Sequence, residues 1–262
     1  MSWDPDRYLG FHDLRLRPAV DLLARIPLVA PASVVDLGCG PGNVARVLRE
    51  RWPDAALIGV DQSAAMLVRA HETLPDARWI EADIARWRAE SQVDLVFSNA
   101  ALHWVDDHPA LFARLAEMVT EGGVLAIQMP ANFDAPSHRL IRELAVASAW
   151  AARLRGVRMG SVLEASDYHQ LLAVHFEVVD LWETTYFQQL AGEHAVFEWL
   201  AGTTLVPYLD RLNAAEGAEF SASLKPLLAS AYPMRADGSV LFPFKRMFMV
   251  ASGRRYGVSR GT

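Results

Sequence analysis

The stretch VVDLGCGPGN, residues 34–43, joins a short apolar run, an acid and three alternating glycines. The apolar run predicts a buried strand, and residues 43–52 predict an amphipathic helix directly after the glycines. A glycine loop between a strand and a helix is typical of the carboxyl edge of a doubly wound sheet, where such folds bind ligands. The stretch therefore predicts both an α/β fold and a ligand site at its first strand.

The spacing of the glycines narrows the class of ligand. Dinucleotide-binding loops follow the pattern G-x-G-x-x-G, whereas Gly38, Gly40 and Gly42 give G-x-G-x-G, which is one residue tighter. No Lys-Ser or Lys-Thr pair follows, so the loop is not a P-loop. Asp36 places a negative charge where a phosphate would be repelled, and an acid at this point suits a ligand that carries an ammonium group.

The rest of the chain continues the alternation of strands and helices. Strands are predicted at residues 33–38, 56–61, 77–83, 93–99, 122–130, 176–190 and 239–252. Helical patterns are predicted at residues 43–52, 63–74, 109–119, 136–173 and 193–232, the last broken by VPYL. This order predicts a doubly wound, Rossmann-like α/β fold with a mostly parallel seven-stranded sheet, helices on both faces and a helical cap inserted in the C-terminal half.

The same pattern predicts the domain organisation. We expect an N-terminal lid segment at residues 1–30 and a single α/β domain at residues 31–253. A helical insertion is expected at about residues 191–235, and a disordered tail at residues 254–262.

Polar residues end four successive predicted strands: Asp36, Asp61, Asp83 and Asn99. A carboxylate such as Asp61 can accept hydrogen bonds from two ribose hydroxyls. Asp83 could meet an adenine amino group, with Ile84 against the ring. A single polar residue at a strand end is usually a cap or a solvated turn, but four at the same edge favour a binding site.

Composition excludes several other classes of protein. The chain has 262 residues and a net charge of −6, which disfavours sequence-independent binding of nucleic acid. Cys39 is the single cysteine, so an intrachain disulfide or a cysteine-based zinc cluster is impossible and a reducing compartment is favoured. The polar N-terminus and the lack of a run of about 18 apolar residues predict neither a signal peptide nor a membrane span, hence a cytoplasmic protein.

Four motifs, DLGCGPGN, GVDQS, EADI and SNAALHW, resemble those of the class I S-adenosylmethionine-dependent methyltransferases. The resemblance implies that S-adenosylmethionine is the cofactor, with its methionine part on the glycine loop, its ribose on the second-strand acid and its adenine beside the third-strand acid. No metal is implied. The implied cofactor residues are Asp36, Gly38, Cys39, Gly40, Asp61, Gln62, Asp83, Ile84 and Asn99.

A second resemblance extends from Trp3 to Ala251. WDPDRYLGF, RLRPAVDLLARIPL, LHWVDDH, GVLAIQMP, DLWETTY, YPMRADG and RMFMVA are similar to the trans-aconitate 2-methyltransferase family. This family methylates one carboxylate of a small tricarboxylic acid. Two positions depart from its pattern, because Val206 stands where an arginine is expected and Gln188 where a histidine is expected. These departures bear on which acid is accepted.

The chemistry of such a reaction agrees with the residues present. A carboxylic acid, with a pKa near 4, is already ionised at neutral pH and needs no general base, so we expect catalysis by positioning, without a catalytic residue. Arg15 or Arg17 would meet a carboxylate of cofactor or substrate, or lie at a solvated helix start. Arg246, a charge inside an apolar strand, is the stronger candidate. The full set of candidate substrate residues is Tyr8, Arg15, Arg17, Trp104, Gln128 and Arg246.

Other interpretations stay open at this point. His103 could be the base for methylation of a phenol or an amine, although a ring packed beside the adenine is favoured. The acceptor could be the free carboxylate of a thioester-linked acid or a phenolic metabolite, and a non-catalytic cofactor sensor on the same fold is a further alternative. We expect a small-molecule substrate, no nucleic acid or membrane partner, and a monomer or weak homodimer.

Overall fold

The computed structural model describes residues 12–147 and 150–255. One seven-stranded sheet has the strand order β3-β2-β1-β4-β5-β7-β6. Its strands are β1 Ser33–Leu37, β2 Ala56–Asp61, β3 Arg78–Glu81, β4 Val93–Asn99, β5 Val119–Pro130, β6 Phe176–Ala191 and β7 Ser239–Arg254. Strands β1 to β5 pair in parallel and β7 pairs antiparallel with β5. The predicted doubly wound, mostly parallel fold is confirmed.

Eleven segments of helix connect the strands of the described chain. The α-helices are α1 His12–Leu23, α2 Asn43–Arg51, α3 Ala64–Thr73, α4 His108–Glu117, α5 Pro136–Ala147, α6 Ala151–Leu154, α7 Ala165–Ala173, α8 Ala195–Ala201, α9 Val206–Leu209 and α10 Ala214–Ala231, and a 3-10 turn covers Leu102–Trp104. Local signals fix several helix starts. The Ser63 hydroxyl accepts from the Met66 amide at the start of α3, and Asn213 and Glu216 form a capping box on α10.

Four predicted elements differ from the structure. The segment VPYL, predicted to break a helical stretch, forms the short helix α9 between α8 and α10. Strand β3 ends at Glu81, two residues before Asp83. Strand β5 begins at Val119, so Gly122 and Gly123 lie inside it, where the register with β4 shifts, and do not form an entry turn. The predicted helical stretch at residues 136–173 is three helices, and residues 155–164 between α6 and α7 are not helical.

The chain divides into two compact units. The sheet unit comprises, within the described residues, 15–130, 162–184 and 246–255. The insert unit comprises residues 131–161 and 185–245, apart from 148 and 149, together with residues 12–14. The predicted insertion at about 191–235 is part of the insert unit, which also takes residues 131–161 that the sequence pattern assigned to the α/β domain. Arg254 and Arg255 are described, and the remainder of the predicted tail lies outside the described residues.

Each unit has its own apolar core. In the sheet unit, Leu95, Val96 and Phe97 of the central strand β4 are fully buried, as expected for a strand covered on both faces. In the insert unit, aromatic rings form the core: Trp199 contacts Phe242 and Phe244. Burial of such rings is a large apolar contribution to folding. No helix within residues 12–147 and 150–255 is both long and apolar enough to cross a membrane.

Candidate active site

The glycine loop follows β1 and is held against β2. The amides of Gly38 and Cys39 both donate to the Val60 carbonyl, at 2.8 and 3.1 Å. Gly38 and Gly40 have φ angles of 75° and 53°, in the left-handed region that side chains disfavour. A Cβ on Gly38 would lie 2.2 Å from the Cβ of Ala101, so only glycine fits this position. The loop therefore presents bare backbone at the carboxyl edge of the sheet.

Asp36 is a buried acid beneath this loop. It is 1% exposed, and its Oδ2 has no hydrogen-bond partner among the residues that the structure describes. Burial, followed by repulsion from Asp61, raises the pKa of Asp36 to about 7. A buried carboxylate oxygen without a partner is costly unless a cation or a donor pairs with it. An ammonium group at the loop would satisfy Asp36, which fits the methionine end of S-adenosylmethionine.

Asp61 ends β2 with its carboxylate fixed in place. Its Oδ2 accepts from the Gly40 amide and its Oδ1 accepts from the Ser63 amide, both at 2.9 Å. Each carboxylate oxygen can accept a second hydrogen bond, so the orientation is set while capacity for two hydroxyl donors is kept. The predicted ribose role of Asp61 is compatible with this geometry. Its neighbour Gln62 is exposed.

Cys39 turns away from the loop surface. A Cβ on Gly59 would lie 3.1 Å from Cys39 Sγ and 2.1 Å from a ring carbon of Trp79, so the thiol and the indole both pack over Gly59. Cys39 is 5% exposed, and burial together with the nearby acids raises the pKa of its thiol strongly. What Cys39 can offer a ligand is its backbone.

The third predicted contact, at Asp83 and Ile84, lies in the turn after β3. Asp83 is exposed, and its Oδ1 accepts from the Ala85 amide at 2.9 Å, which is the capping interaction considered as an alternative. Ile84 is half-buried, and its Cδ1 lies 3.9 Å from the position of a Cβ on Gly38. The isoleucine therefore provides an apolar wall next to the glycine loop, where an adenine ring could pack.

Asn99 ends β4 and is paired in register with Gln128 of β5. Its Oδ1 is buried and without a hydrogen-bond partner in the described part of the chain. The next residue, Ala100, has a φ of 56°, which costs a non-glycine residue on the order of 1 kcal/mol or more. Backbone strain of this kind is concentrated at functional sites.

Residues 100–107, the turn segment, have left-handed backbone at both ends, since Asp107 has a φ of 51°. This conformation is costly for Ala100 and less so for an aspartate. The segment contains the 3-10 turn with His103 and Trp104. His103 is 5% exposed and its ring centroid lies 4.8 Å from that of Trp104, which is half-buried. The turn segment thus carries an aromatic pair directly after Asn99, beside the glycine loop that Ala101 contacts.

Gln128 and Arg246 form a buried polar pair on the neighbouring strands. Arg246 is 6% exposed and Gln128 is fully buried, and Arg246 Nη1 donates to Gln128 Oε1 at 3.3 Å. A guanidinium can only donate, so it fixes the amide with its oxygen towards the arginine. The Gln128 Nε2 then remains a buried donor with no partner within the described residues. A cation and a free donor side by side suit a carboxylate ligand.

Three other candidate substrate residues, Tyr8, Arg15 and Arg17, are not among the residues that the structure places beside Gln128 and Arg246. Tyr8 lies outside the described residues, as does the side chain of Arg15. Arg17 is exposed and is the sixth residue of α1, so it does not lie at the start of that helix. Val206 and Gln188, the two departures from the family pattern, belong to the insert unit.

One feature of the site could not be found from sequence patterns. His108 and Tyr168 form a buried hydrogen bond across 60 positions of the chain, and no local motif signals it. Residues 12–147 and 150–255 contain no group of three or more His, Cys, Asp or Glu that could hold a metal ion.

Comparison with known proteins identifies close relatives. A family model described as a methyltransferase domain matches residues 34–123. The trans-aconitate 2-methyltransferase of Azoarcus sp. (strain BH72) is 49% identical over 95% of this chain and 98% of its own length. That of Methylobacterium nodulans is 48% identical over 97% and 99%. The YcgJ protein of Bacillus subtilis, a solved structure with 15% identity, covers 91% of this chain and 99% of its own with a TM-score of 0.61, which shows a shared fold.

The two close relatives match far more than the α/β segment covered by the family model. Their similarity runs through the insert unit as well, at an identity close to one half over nearly the whole length of both chains. The resemblance found in the sequence motifs is thereby confirmed. The chain belongs to the trans-aconitate 2-methyltransferase family of S-adenosylmethionine-dependent methyltransferases.

Proposed function

We propose that this protein transfers the methyl group of S-adenosylmethionine to a carboxylate of trans-aconitate, giving a methyl ester and S-adenosylhomocysteine. The observation that carries the proposal is the Arg246–Gln128 pair. It supplies a buried cation and an unused amide donor on the strands that continue the edge formed by Asp36, Asp61 and Asn99. Relatives named for this reaction, matched over nearly their whole length, support the same acceptor.

The cofactor supplies a methyl group made electrophilic by its bond to a sulfonium sulfur. In this chain, Asp36 would pair with the ammonium group and Asp61 would accept from the ribose hydroxyls. Ile84 would pack against the adenine, and Asn99 Oδ1 would accept a further donor. The glycine loop allows close approach because a side chain at Gly38 would collide with Ala101.

Arg246 and Gln128 would hold the acceptor. The guanidinium and the Gln128 Nε2 would donate to carboxylate oxygens and orient one of them towards the methyl group. That oxygen would form the new O–C bond as the C–S bond of the bound cofactor broke, and the electron pair of the C–S bond would stay on sulfur. No proton moves, because the acid is ionised beforehand. Correct placement of the two reactants, with reacting atoms about 3 to 3.5 Å apart, is then the main source of rate acceleration.

This mechanism assigns no general base. His103 is buried and packs on Trp104, which supports a structural role for its ring at the acceptor side of the turn segment. We further propose a small-molecule acceptor that binds without a carrier protein, a cytoplasmic location and a monomer or weak homodimer. The buried, weakly acidic thiol of Cys39 is compatible with a reducing compartment.

The test is incubation of the purified protein with methyl-labelled S-adenosylmethionine and separate acids. Trans-aconitate should yield labelled methyl ester and S-adenosylhomocysteine in equal amounts, faster than cis-aconitate, citrate, a thioester-linked dicarboxylic acid or a simple phenol. An Asp61→Asn variant, which should bind the cofactor weakly, is the matched control for labelling that does not depend on the site. Labelling of the phenol or the thioester acid in preference to trans-aconitate would replace the proposed acceptor, and binding of the cofactor with no transfer to any acid would favour a sensor.

A further inference from the structure

A continuous chain of hydrogen bonds links α7 to the turn segment within the sheet unit. The Leu163 amide donates to the Tyr168 hydroxyl oxygen at 3.1 Å. The Tyr168 oxygen lies 2.6 Å from His108 Nδ1, and His108 Nε2 lies 3.1 Å from the Leu102 carbonyl oxygen. The chain thus ends on the first residue of the 3-10 turn that carries His103 and Trp104.

The direction of each hydrogen bond in this chain follows from its ends. The Leu102 carbonyl can only accept, so His108 Nε2 carries the hydrogen, and in the neutral ring Nδ1 is then an acceptor. With a neutral ring, the Tyr168 hydroxyl donates to Nδ1 while its oxygen accepts from the Leu163 amide. Every donor in the chain meets an acceptor, and a change at one end alters the bond at the other.

Burial makes this chain costly to break. Tyr168 and Leu102 are fully buried and His108 is 5% exposed. The rings of His108 and Tyr168 also contact Phe112, with centroids 5.8 and 5.1 Å away, so the polar chain is surrounded by apolar side chains. Loss of one member would leave a buried polar partner without its hydrogen bond, and the turn segment could relax to restore it.

The turn segment needs such support because it is strained. Ala100 and Asp107, at its two ends, both adopt left-handed backbone conformations without being glycine. Conformations of this kind persist only where the surrounding structure holds them in place. The Ala100 amide, which donates to the Gln128 carbonyl at 2.9 Å, holds the first end. His108, directly after Asp107, holds the second.

We infer that Tyr168 and His108 are positioning residues for the methyl transfer, which fix the turn segment and thereby Trp104 against the acceptor. The inference rests on the proposed function for its kinetic consequence. Neither residue needs to touch a reactant. Their effect passes through the Leu102 carbonyl to the aromatic pair that follows it, and displacement of a positioning group by about 1 Å can reduce rates on the order of a hundredfold.

Two variants separate positioning from stability. Tyr168→Phe removes only the hydroxyl, while Phe112→Leu disturbs the apolar packing of the same rings and leaves the hydrogen-bond chain intact. We expect Tyr168→Phe to lower kcat/KM for trans-aconitate by on the order of tenfold or more, mainly through the acceptor KM, with unchanged affinity for S-adenosylhomocysteine. Phe112→Leu, compared at a matched temperature below its unfolding midpoint, should keep wild-type kinetics. Equal losses in both variants, or no loss in Tyr168→Phe, would overturn the inference.

Hydrogen exchange gives a readout that is independent of the acceptor. The Trp104 amide donates to the Ala101 carbonyl and the Val105 amide donates to the Leu102 carbonyl, so both are protected in the intact turn. Tyr168→Phe should accelerate exchange at these amides and leave the β4 amides unchanged, whereas Phe112→Leu should not. If the wild type fails to methylate trans-aconitate, the proposed function falls while this measurement still decides whether the chain holds the turn. Unchanged exchange in Tyr168→Phe contradicts the inference.

Discussion

Arg246 Nη1 lies 3.3 Å from Gln128 Oε1, and this bond joins the two neighbouring strands β7 and β5 where Pro130, the last residue of β5, is paired with Arg246. The bond occupies the Gln128 oxygen and leaves the amide nitrogen, Nε2, as the donor available to a ligand. It also makes the pair a single binding element, because loss of the guanidinium frees the amide to rotate.

Replacement of Arg246 by Met should therefore weaken the acceptor alone. Removal of the buried donor costs the carboxylate its cationic partner, and the acceptor KM should rise by on the order of a hundredfold. The affinity for S-adenosylhomocysteine, measured by calorimetry, should stay within about twofold. Arg254→Met is the matched control, since Arg254 lies on the same strand but donates to the Val119 carbonyl. An unchanged acceptor KM in Arg246→Met would remove Arg246 from the site.

Cofactor affinity should depend on pH through Asp36. The pKa of this buried acid is raised to about 7, and an ammonium group beside it would favour the ionised form. Below pH 7 binding must then release a proton, so the Kd for S-adenosylhomocysteine should fall about tenfold for each unit rise in pH up to about 7. In Asp36→Asn the affinity should be weaker and nearly flat with pH.

The exposed acid Asp76 provides the control for this titration. Asp76 pairs with Arg49 on the surface, and Asp76→Asn should keep the wild-type pH profile. Calorimetry between pH 5.5 and 8 measures the Kd for S-adenosylhomocysteine in the wild type, Asp36→Asn and Asp76→Asn. This range extends about one pH unit or more to either side of the Asp36 titration. A wild-type Kd independent of pH would show that Asp36 does not meet the ammonium group.

The close contact between Gly38 and Ala101 can be tested with a pair of substitutions, in which the second makes room for the side chain that the first adds. Gly38→Ala adds a Cβ that overlaps the Ala101 Cβ and strains a residue with a φ of 75°, so the free energy of unfolding should fall by about 3 kcal/mol. Ala101→Gly in the same chain should recover the packing part of that loss. Gly40→Ala, which meets no atom within 4 Å, should cost about 1 kcal/mol. Urea unfolding measures each value, and equal losses for Gly38→Ala and Gly40→Ala would contradict the predicted overlap.

Two buried titrating groups should act in opposite directions on stability between about pH 4 and 7. The pKa of Asp36 is raised, so its contribution to stability is complete below pH 3.8 and is lost as pH rises through about 7. Burial, and then Arg142, lowers the pKa of His138 to about 4, so its contribution is complete above pH 6.5 and is lost as pH falls through about 4. The contribution of Asp36 is about 4 kcal/mol and that of His138 about 3 kcal/mol.

The two contributions should largely cancel in the wild type. Asp36→Asn should therefore make the free energy of unfolding rise with pH from 4 to 6.5, and His138→Asn should make it fall over the same range. Urea unfolding at four pH values measures both slopes. The same slope in both variants would show that one of the two groups is not buried as the structure has it.

The parts of the fold with local signals could be predicted from the sequence. The glycine loop, the acids at the ends of β1 and β2, and the capped start of α3 each depend on residues that are near one another in the chain. Arg246 was identifiable because a charge in an apolar strand requires a partner. Where the local signal was ambiguous, the predicted strand boundary was wrong. Asp83 lies in a turn beyond the end of β3, where its side chain accepts from the Ala85 amide, and the two glycines predicted to open β5 lie within that strand.

What the sequence could not provide depends on distant residues. The hydrogen bond between His108 and Tyr168 forms only after α7 packs on α4, and no spacing rule relates positions 60 apart. The left-handed backbone of Ala100 is likewise invisible in the sequence, because alanine normally avoids this conformation. Residues 131–161 belong to the insert unit because their apolar side chains pack with α8 to α10. Such packing between distant segments leaves no local pattern in the sequence.

The inward orientation of Cys39 makes the protein well suited to site-specific labelling with a fluorophore or spin label. Its thiol is buried over Gly59 and held protonated, so maleimides and other thiol reagents, which require an accessible thiolate, should leave it untouched in the native state. The chain has no other cysteine. A single cysteine introduced on an exposed face can thus carry a fluorophore or spin label without prior removal of a native thiol, and the glycine loop keeps its own residue throughout.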